Sequence, residues 1–186
     1  RNMEQEYLIP LDKVKQITGA GTDAEAAAQI NAVQEMIEAY LAVTLIKTDY
    51  TDEKITFPYG WQSVLRPRFA PINSVAQINF LKADGEYAPY QGHYAVGKIS
   101  VELLCGQHPG HIAAAQISYN AGLYDNFSQA PALLSQAAEK LLAWNANPDA
   151  LNGFASEHLG DYSYTKGAMV RGVPEVIAGM LDGVKI

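Results

Sequence analysis

The chain is written in two hydrophobic periods, and the change from one to the other constrains its fold more than any other feature. Behind Thr22-Asp23-Ala24-Glu25, residues Ile30, Val33, Ile37, Tyr40 or Leu41 and Thr44 recur at spacings of three and four, along one face of a helix. The opening four residues read as a capping box: the Thr22 side chain accepts from the Glu25 amide while the Glu25 carboxylate reaches back. Two acids in the first turn also suit the positive end of the helix dipole. The spacing predicts a helix over 23–46. From Ile55 to Tyr119 the period shortens to two. Ala76, Ile78 and Phe80 alternate with Gln77 and Asn79; Ile99, Val101 and Leu103 with Ser100 and Glu102; Ala115, Ile117 and Tyr119 close the series. Asp84-Gly85 and the run Gly106 to Gly110 supply turns between these segments, and Pro58, Pro67, Pro71 and Pro89 break up longer strands.

Helical spacing flanks this region on both sides. Leu11, Val14 and Ile17 follow Pro10 and stop at Gly19-Ala20-Gly21. Ser128 to Asn145 carries the stripe Leu134, Ala137 or Ala138, Leu141 and Trp144, ended by Asn147-Pro148. A last short helix is expected from Pro174 to about Asp182. The fold class is therefore α+β: a helical bundle of about four helices with an inserted small antiparallel β-sheet of about four short strands.

Length and charge exclude several function classes. The 186 residues fit one globular domain and suffice for a core without staples. No apolar run approaches the ~20 residues that span a bilayer, and no basic-then-apolar leader is seen, so a soluble domain is expected. Thirteen basic and twenty acidic side chains give −7; residues 1–93 carry eight and twelve, residues 94–186 five and eight. No basic cluster is present to neutralise a row of phosphates, which disfavours direct nucleic-acid binding. The single Cys105 cannot form an internal disulfide, which points to a reducing compartment.

The most enzyme-like stretch is Cys105-Gly106-Gln107-His108-Pro109-Gly110-His111. A thiol and two imidazoles within seven residues could give three zinc ligands, or a nucleophile and its base. A fourth ligand would have to come from His93 or His158, and no paired Cys-x-x-Cys exists, so a hairpin turn is the favoured reading. No nucleophile elbow, phosphate-cradling loop or dinucleotide glycine pattern occurs. Asn126-Phe127-Ser128 matches a glycosylation sequon by chance. Trp144 reads as core. Tyr59, Trp61, Phe69, Tyr87, Tyr90 and Tyr94 suit either interface anchors or a partly buried sheet face.

Several local features together resemble the head–tail connector (adaptor, head completion) proteins of tailed bacteriophages. The helix Leu11-Asp12-Lys13-Val14-Lys15 precedes an acid-started second helix. Arg68-Phe69-Ala70-Pro71-Ile72-Asn73-Ser74-Val75 resembles the family's Arg-x-x-Pro-hydrophobic-x-x-Val at the start of a strand. Ile117-Ser118-Tyr119-Asn120-Ala121-Gly122-Leu123-Tyr124 resembles its strand ending in Ala-Gly-Tyr, with Leu123 intervening. The helix Pro131 to Trp144 follows at the family's distance. Ser156-Glu157-His158-Leu159-Gly160-Asp161-Tyr162-Ser163-Tyr164 resembles its Ser-Glu-x-x-Gly-Asp-Tyr-Ser segment, the most specific of these matches. The chain departs from the family in its glycine-bearing, weakly basic end and in the size of its middle sheet.

The resemblance implies a structural virion protein at the head–tail interface, assembled in the host cytoplasm, without enzymatic activity or cofactor. Its copies would form a ring, commonly twelvefold, that extends the channel of a portal protein and docks a tail or stopper protein. Double-stranded DNA would pass without specific binding, and no membrane is involved. Twelve copies at −7 would sum to roughly −84, a field that repels a passing duplex. Residues 1–186 would act as a single adaptor-like domain, with the polar stretch 152–172 ordering against a neighbour and a tail at 173–186. Glu157, Asp161, Tyr162 and Tyr164 are the expected subunit contacts, and the piece from Met169 to Ile186, with Arg171, is the expected portal contact. A tail-completion component is the alternative, and a small metal or thiol enzyme using Cys105, His108 and His111 a more remote one.

Overall fold

The computed structural model describes residues 6–57, 62–82, 84–105, 114–147 and 169–184. Their contacts divide the chain into two compact units, one made of residues 1–42 and 126–186, the other of 43–125.

The first unit is helical. Helix α1 (Leu11–Thr18) starts after Pro10 and ends at Gly19, whose left-handed backbone (φ 75°) returns its N–H to the Lys15 carbonyl. Helix α2 (Asp23–Leu41) carries the expected capping box in full, with the Glu25 amide donating to the Thr22 hydroxyl over 3.2 Å. Its buried residues Ala26, Ile30, Val33, Ile37 and Tyr40 reproduce the spacing of three and four. After a 3-10 turn at Phe127–Gln129, helix α3 (Ala132–Ala146) buries Leu134, Ala137, Ala138, Leu141 and Leu142, while Trp144 is half-buried at its end. Helix α4 (Glu175–Asp182) buries Ile177, Ala178 and Leu181. Helices α1, α2 and α3 pack against one another and α4 against α2 and α3, with Leu8 and Ile9 buried as well. Each buried Leu, Ile or Val among these contributes about 1.5–3 kcal/mol, which is what holds helices this short in place.

Helix α2 ends at Leu41, five residues before the expected end at 46. Ala42 turns left-handed (φ 54°), and the amide of Thr44 then donates to the Ala70 carbonyl over 2.7 Å. The β-branched pair Val43-Thr44 favours this extended path, and Leu45, a residue of the second unit, is fully buried.

The regular elements of the second unit, among its described residues, are all strands. Its strands are β1 (Thr48–Thr56), β2 (Val64–Leu65), β3 (Ile72–Leu81), β4 (Tyr87–Pro89), β5 (His93–Val96), β6 (Val101–Cys105) and β7 (Ala114–Ala121). They form two antiparallel sheets, ordered β1-β7-β3-β4 and β2-β6-β5. The small four-strand sheet expected from the alternation is thus exceeded, because β2, β4 and β5 are too short to show a period. Strand β7 obeys the alternation: Ala115, Ile117, Tyr119 and Ala121 are buried, and Gln116, Ser118 and Asn120 lie between them. In β3, Ile78 and Phe80 are buried but Ala76 is exposed, since the register with β7 skips between Val75 and Gln77 and the bulge reverses the faces. Ile99 lies in the turn between β5 and β6, not in a strand, and is 67% exposed.

The unit's first and last residues are clasped together. Ile46 bridges Tyr124 in parallel, Lys47 N–H donates to the Tyr124 carbonyl over 2.8 Å, and Tyr124 N–H donates to the Leu45 carbonyl over 2.8 Å. Gly122 lies in this crossing with φ 135°, where a Cβ would sit 2.5 Å from the carbonyl carbon of Ile46 and from the nitrogen of Lys47. Only glycine fits there.

A two-residue hairpin, β8 (Met169–Val170) and β9 (Val173–Pro174), belongs to the helical unit. Its turn residues Arg171 and Gly172 both have positive φ (48° and 85°), the backbone that twists such a tight hairpin correctly.

Candidate functional site

Two of the motifs read from the sequence, about fifty residues apart, meet at one corner of the β unit. The Tyr119 ring is buried, and its hydroxyl donates to the Glu53 carboxylate while accepting from the Phe69 N–H at 3.2 Å. Glu53 also accepts from the Arg68 N–H at 2.8 Å. Phe69 stacks on Tyr50 with centroids 4.1 Å apart, and Tyr50 stacks on Tyr119 at 5.3 Å. The Arg68 guanidinium lies over the Phe69 ring, and the Pro71 carbonyl accepts from Gly122 N–H at 2.9 Å. The segment Arg68–Pro71 is thereby fastened to both β1 and β7. Burial, and then the bond to Glu53, push the Tyr119 hydroxyl well above the usual tyrosine range. At neutral pH the Tyr119 hydroxyl keeps its proton and serves as a fixed donor that braces this corner.

Glu53 has no signal in the sequence. It reaches Tyr119 because β1 bulges between Tyr50 and Glu53, with Asp52 in the left-handed region (φ 55°) and its N–H on the Ser118 hydroxyl. Of the aromatic residues weighed as anchors, Phe69, Tyr87 and Tyr90 are half-buried, Tyr90 meeting Phe80 edge-on, and Tyr94 is 39% exposed. Tyr59 and Trp61 lie outside the described residues.

Cys105 ends β6, where its backbone pairs with His93 of β5. His108, His111 and His158 lie outside the described residues. Among the described residues, no group of three His, Cys, Asp or Glu side chains is arranged to hold a metal. The sequon has a local role: the Asn126 side chain accepts from Ser128 N–H at 3.1 Å and caps the 3-10 turn.

Of the expected contact residues, Glu157, Asp161, Tyr162 and Tyr164 lie outside the described residues. Arg171 is described, and it is exposed. Its guanidinium lies over the Tyr40 ring and donates to the Tyr40 carbonyl at 3.4 Å, while the Tyr40 hydroxyl donates to Asp182 at 2.7 Å. The bond to Asp182, reinforced by burial, raises the Tyr40 pKa. Arg171 thus ties the β8–β9 hairpin to the end of α2.

The acidic balance, even between sequence halves, is uneven between the two units. The helical unit carries seven basic and thirteen acidic residues, a net −6; the β unit carries six and seven, a net −1. Among the described residues, no helix is long and apolar enough to cross a membrane.

No protein-family model matches the chain, and no curated protein matches it. Solved structures do. The chain matches a chain in the neck of an empty GTA particle computed with C6 symmetry, with TM-score 0.58 and 18% identity over 96% of this chain and 91% of that one. A chain in the virion of a native gene transfer agent (GTA) particle matches with TM-score 0.55 and 20% identity over 96% and 91%. A chain in the neck of a native GTA particle computed with C12 symmetry matches with TM-score 0.53 and 18% identity over 99% and 97%. At this identity the likeness establishes a shared fold over nearly the whole chain.

Proposed function

We propose that a chain with this fold is a structural head–tail connector of a phage-like particle: an adaptor whose copies form a ring under a portal protein, extend the DNA channel and dock a tail or stopper protein. The observation that carries the reading is the fold shared, end to end, with chains in particle necks of sixfold and twelvefold symmetry. The sequence motifs that resemble connector proteins point the same way independently. On this reading residues 1–186 work as one adaptor in the virion neck, put together in the host cytoplasm, with no catalytic step and no cofactor. Glu157, Asp161, Tyr162, Tyr164 and Arg171 are its proposed protein-contact residues, and DNA passes the ring without specific binding. The charge distribution supports that last point, because a helical unit at −6 repels a duplex wherever the two come close.

The test is the mass in solution by light scattering, alone and mixed with the cognate portal. A ring of six or twelve copies, or a monomer that joins the portal at matching stoichiometry, is the expected result. A monomer that ignores the portal would overturn the assignment.

A further inference from the structure

Seven large apolar side chains are exposed among the described residues, and six of them fall in two short stretches. Tyr94, Val96 and Ile99 (39%, 43% and 67% exposed) lie on β5 and the turn after it, in the β unit. Met169, Val170 and Val176 (48%, 37% and 58%) lie on β8 and the first turn of α4, in the helical unit. The first stretch carries one exposed charge, Lys98, and the second two, Arg171 and Glu175; none of the three has an ion-pair partner among the described residues, and the Arg171 guanidinium is turned to Tyr40. The two stretches therefore match in apolar character, and Glu175, the charge of the second not engaged by Tyr40, is opposite in sign to Lys98.

The backbone adds a second observation. A sheet edge left open invites pairing with another chain, and proteins guard such edges with charge, proline, bulges or brevity. Among the described residues the two sheets of the β unit have four edges, and three of them are guarded. Strand β1 carries Asp49, Asp52, Glu53 and Lys54 and a bulge; β4 has three residues, one of them Pro89; β2 has two and runs into Arg66-Pro67. Strand β5, His-Tyr-Ala-Val, is four residues long and exposed at every position, with neither formal charge nor proline; its pairing with β6 skips one residue between His93 and Tyr94, and Tyr94, Ala95 and Val96 then pair in unbroken register. Among the described residues it pairs with β6 on one side, and the sheet order ends there.

We infer that the β5 edge and its following turn on one copy receive the β8–β9 hairpin and the start of α4 of a second copy, with Lys98 facing Glu175. A ring needs two different surfaces on each subunit, since its contacts run head to tail, and these two stretches supply one each. The uneven charge favours the same pairing. Contact between two helical units would set −6 against −6, whereas this one sets −1 against −6. The inference rests on the ring reading above and names its surfaces. It assigns the beginning of the 169–186 piece to the neighbouring subunit instead of the portal.

Two sets of variants test it. Val96→Lys and Val170→Lys change exposed side chains and should leave the far-UV spectrum and melting temperature unaltered. Each is expected to raise the protein concentration needed for ring assembly about tenfold or more, the cost of about 1.4 kcal/mol or more per contact. In a Cys105→Ser background, Val96→Cys mixed with Val170→Cys should give disulfide-linked dimers. The double variant should give a ladder up to the full ring, and either single variant alone should give none. Rings that form normally in both lysine variants, with no cross-link in the mixture, would overturn this interface and leave the ring reading standing. Failure of the unaltered protein to assemble, alone or on the portal, would remove the ring reading and this inference with it.

Discussion

Replacing Gly122 by alanine measures what the clasp of the β unit is worth. Two costs add. The backbone at φ 135° is one that L residues rarely adopt, worth about 1–3 kcal/mol. The new Cβ would also lie 2.5 Å from the Ile46 carbonyl carbon and the Lys47 nitrogen, so backbone must yield by roughly 1 Å to reach ordinary carbon contact. That shift falls on the bonds from Lys47 N–H to Tyr124 and from Tyr124 N–H to Leu45, each 2.8 Å long. Losing both adds about 2 kcal/mol, for a total near 3–5 kcal/mol. That is a large part of the 5–15 kcal/mol that separates a typical native state from the unfolded chain. Gly85→Ala is the control: it also has positive φ (86°), but a Cβ there meets nothing within 4 Å, so it should lose only about 1–2 kcal/mol. Urea unfolding of the two variants beside the parent gives both values from the midpoints, provided the slopes agree. Equal losses in the two variants would refute the argument that the crossing, and not backbone conformation, demands glycine.

Three further outcomes are expected. Thr22→Ala removes the acceptor for the Glu25 amide and should lower stability by about 1 kcal/mol in urea unfolding, with Thr22→Ser restoring most of it. Tyr119 has its pKa raised in the folded state, so the native protein holds that proton more tightly than the unfolded chain does. Its contribution is complete below about pH 10, the unfolded value, and is lost as pH rises beyond it. Tyr119→Phe should therefore flatten the alkaline loss of stability without abolishing it, because Tyr40 and Tyr124 are shifted upward too; an unchanged slope would contradict this. Cys105→Ser should leave ring formation or portal binding as it was, read by light scattering, while loss of both assembly and bound zinc would favour the metal reading.

The helices were legible because their signals are local. A capping box, a proline before α1, a glycine after it and the spacing of buried residues on α2 can all be read within a few positions. The alternation on β7 was equally plain. What escaped was set by partners distant in sequence. The end of α2 depends on Ala70, which takes the Thr44 amide, and Ala76 faces solvent because a bulge against β7 shifts the phase. Glu53 reads as one more acid until the β1 bulge brings it to Tyr119, and that β5 is an edge without charge or proline emerges only when the sheet order is known. The motifs at Arg68–Val75 and Ile117–Tyr124 were visible as strings, but that they brace each other through Phe69, Tyr119 and Gly122 is a property of the fold. The Glu157–Tyr164 segment, the most specific motif in the chain, lies outside the described residues.

The side-by-side start and finish of the β unit also have a mechanical meaning. A pull along the chain from Ala42 to Asn126 reaches Leu45–Lys47 and Leu123–Tyr124 before it reaches any strand of the core. There it is taken up by the bonds between Lys47 and Tyr124 and between Tyr124 and Leu45, by the Leu123 N–H shared between the Thr44 and Leu45 carbonyls, and by the Lys47–Asp125 ion pair, at 2.9 Å. Tension passes across the clasp and by-passes the sheets, so strands β1 to β7 stay slack while the line through the chain is loaded. The first event under force is then the parting of this short clasp, and only afterwards does the load reach β1 and β7.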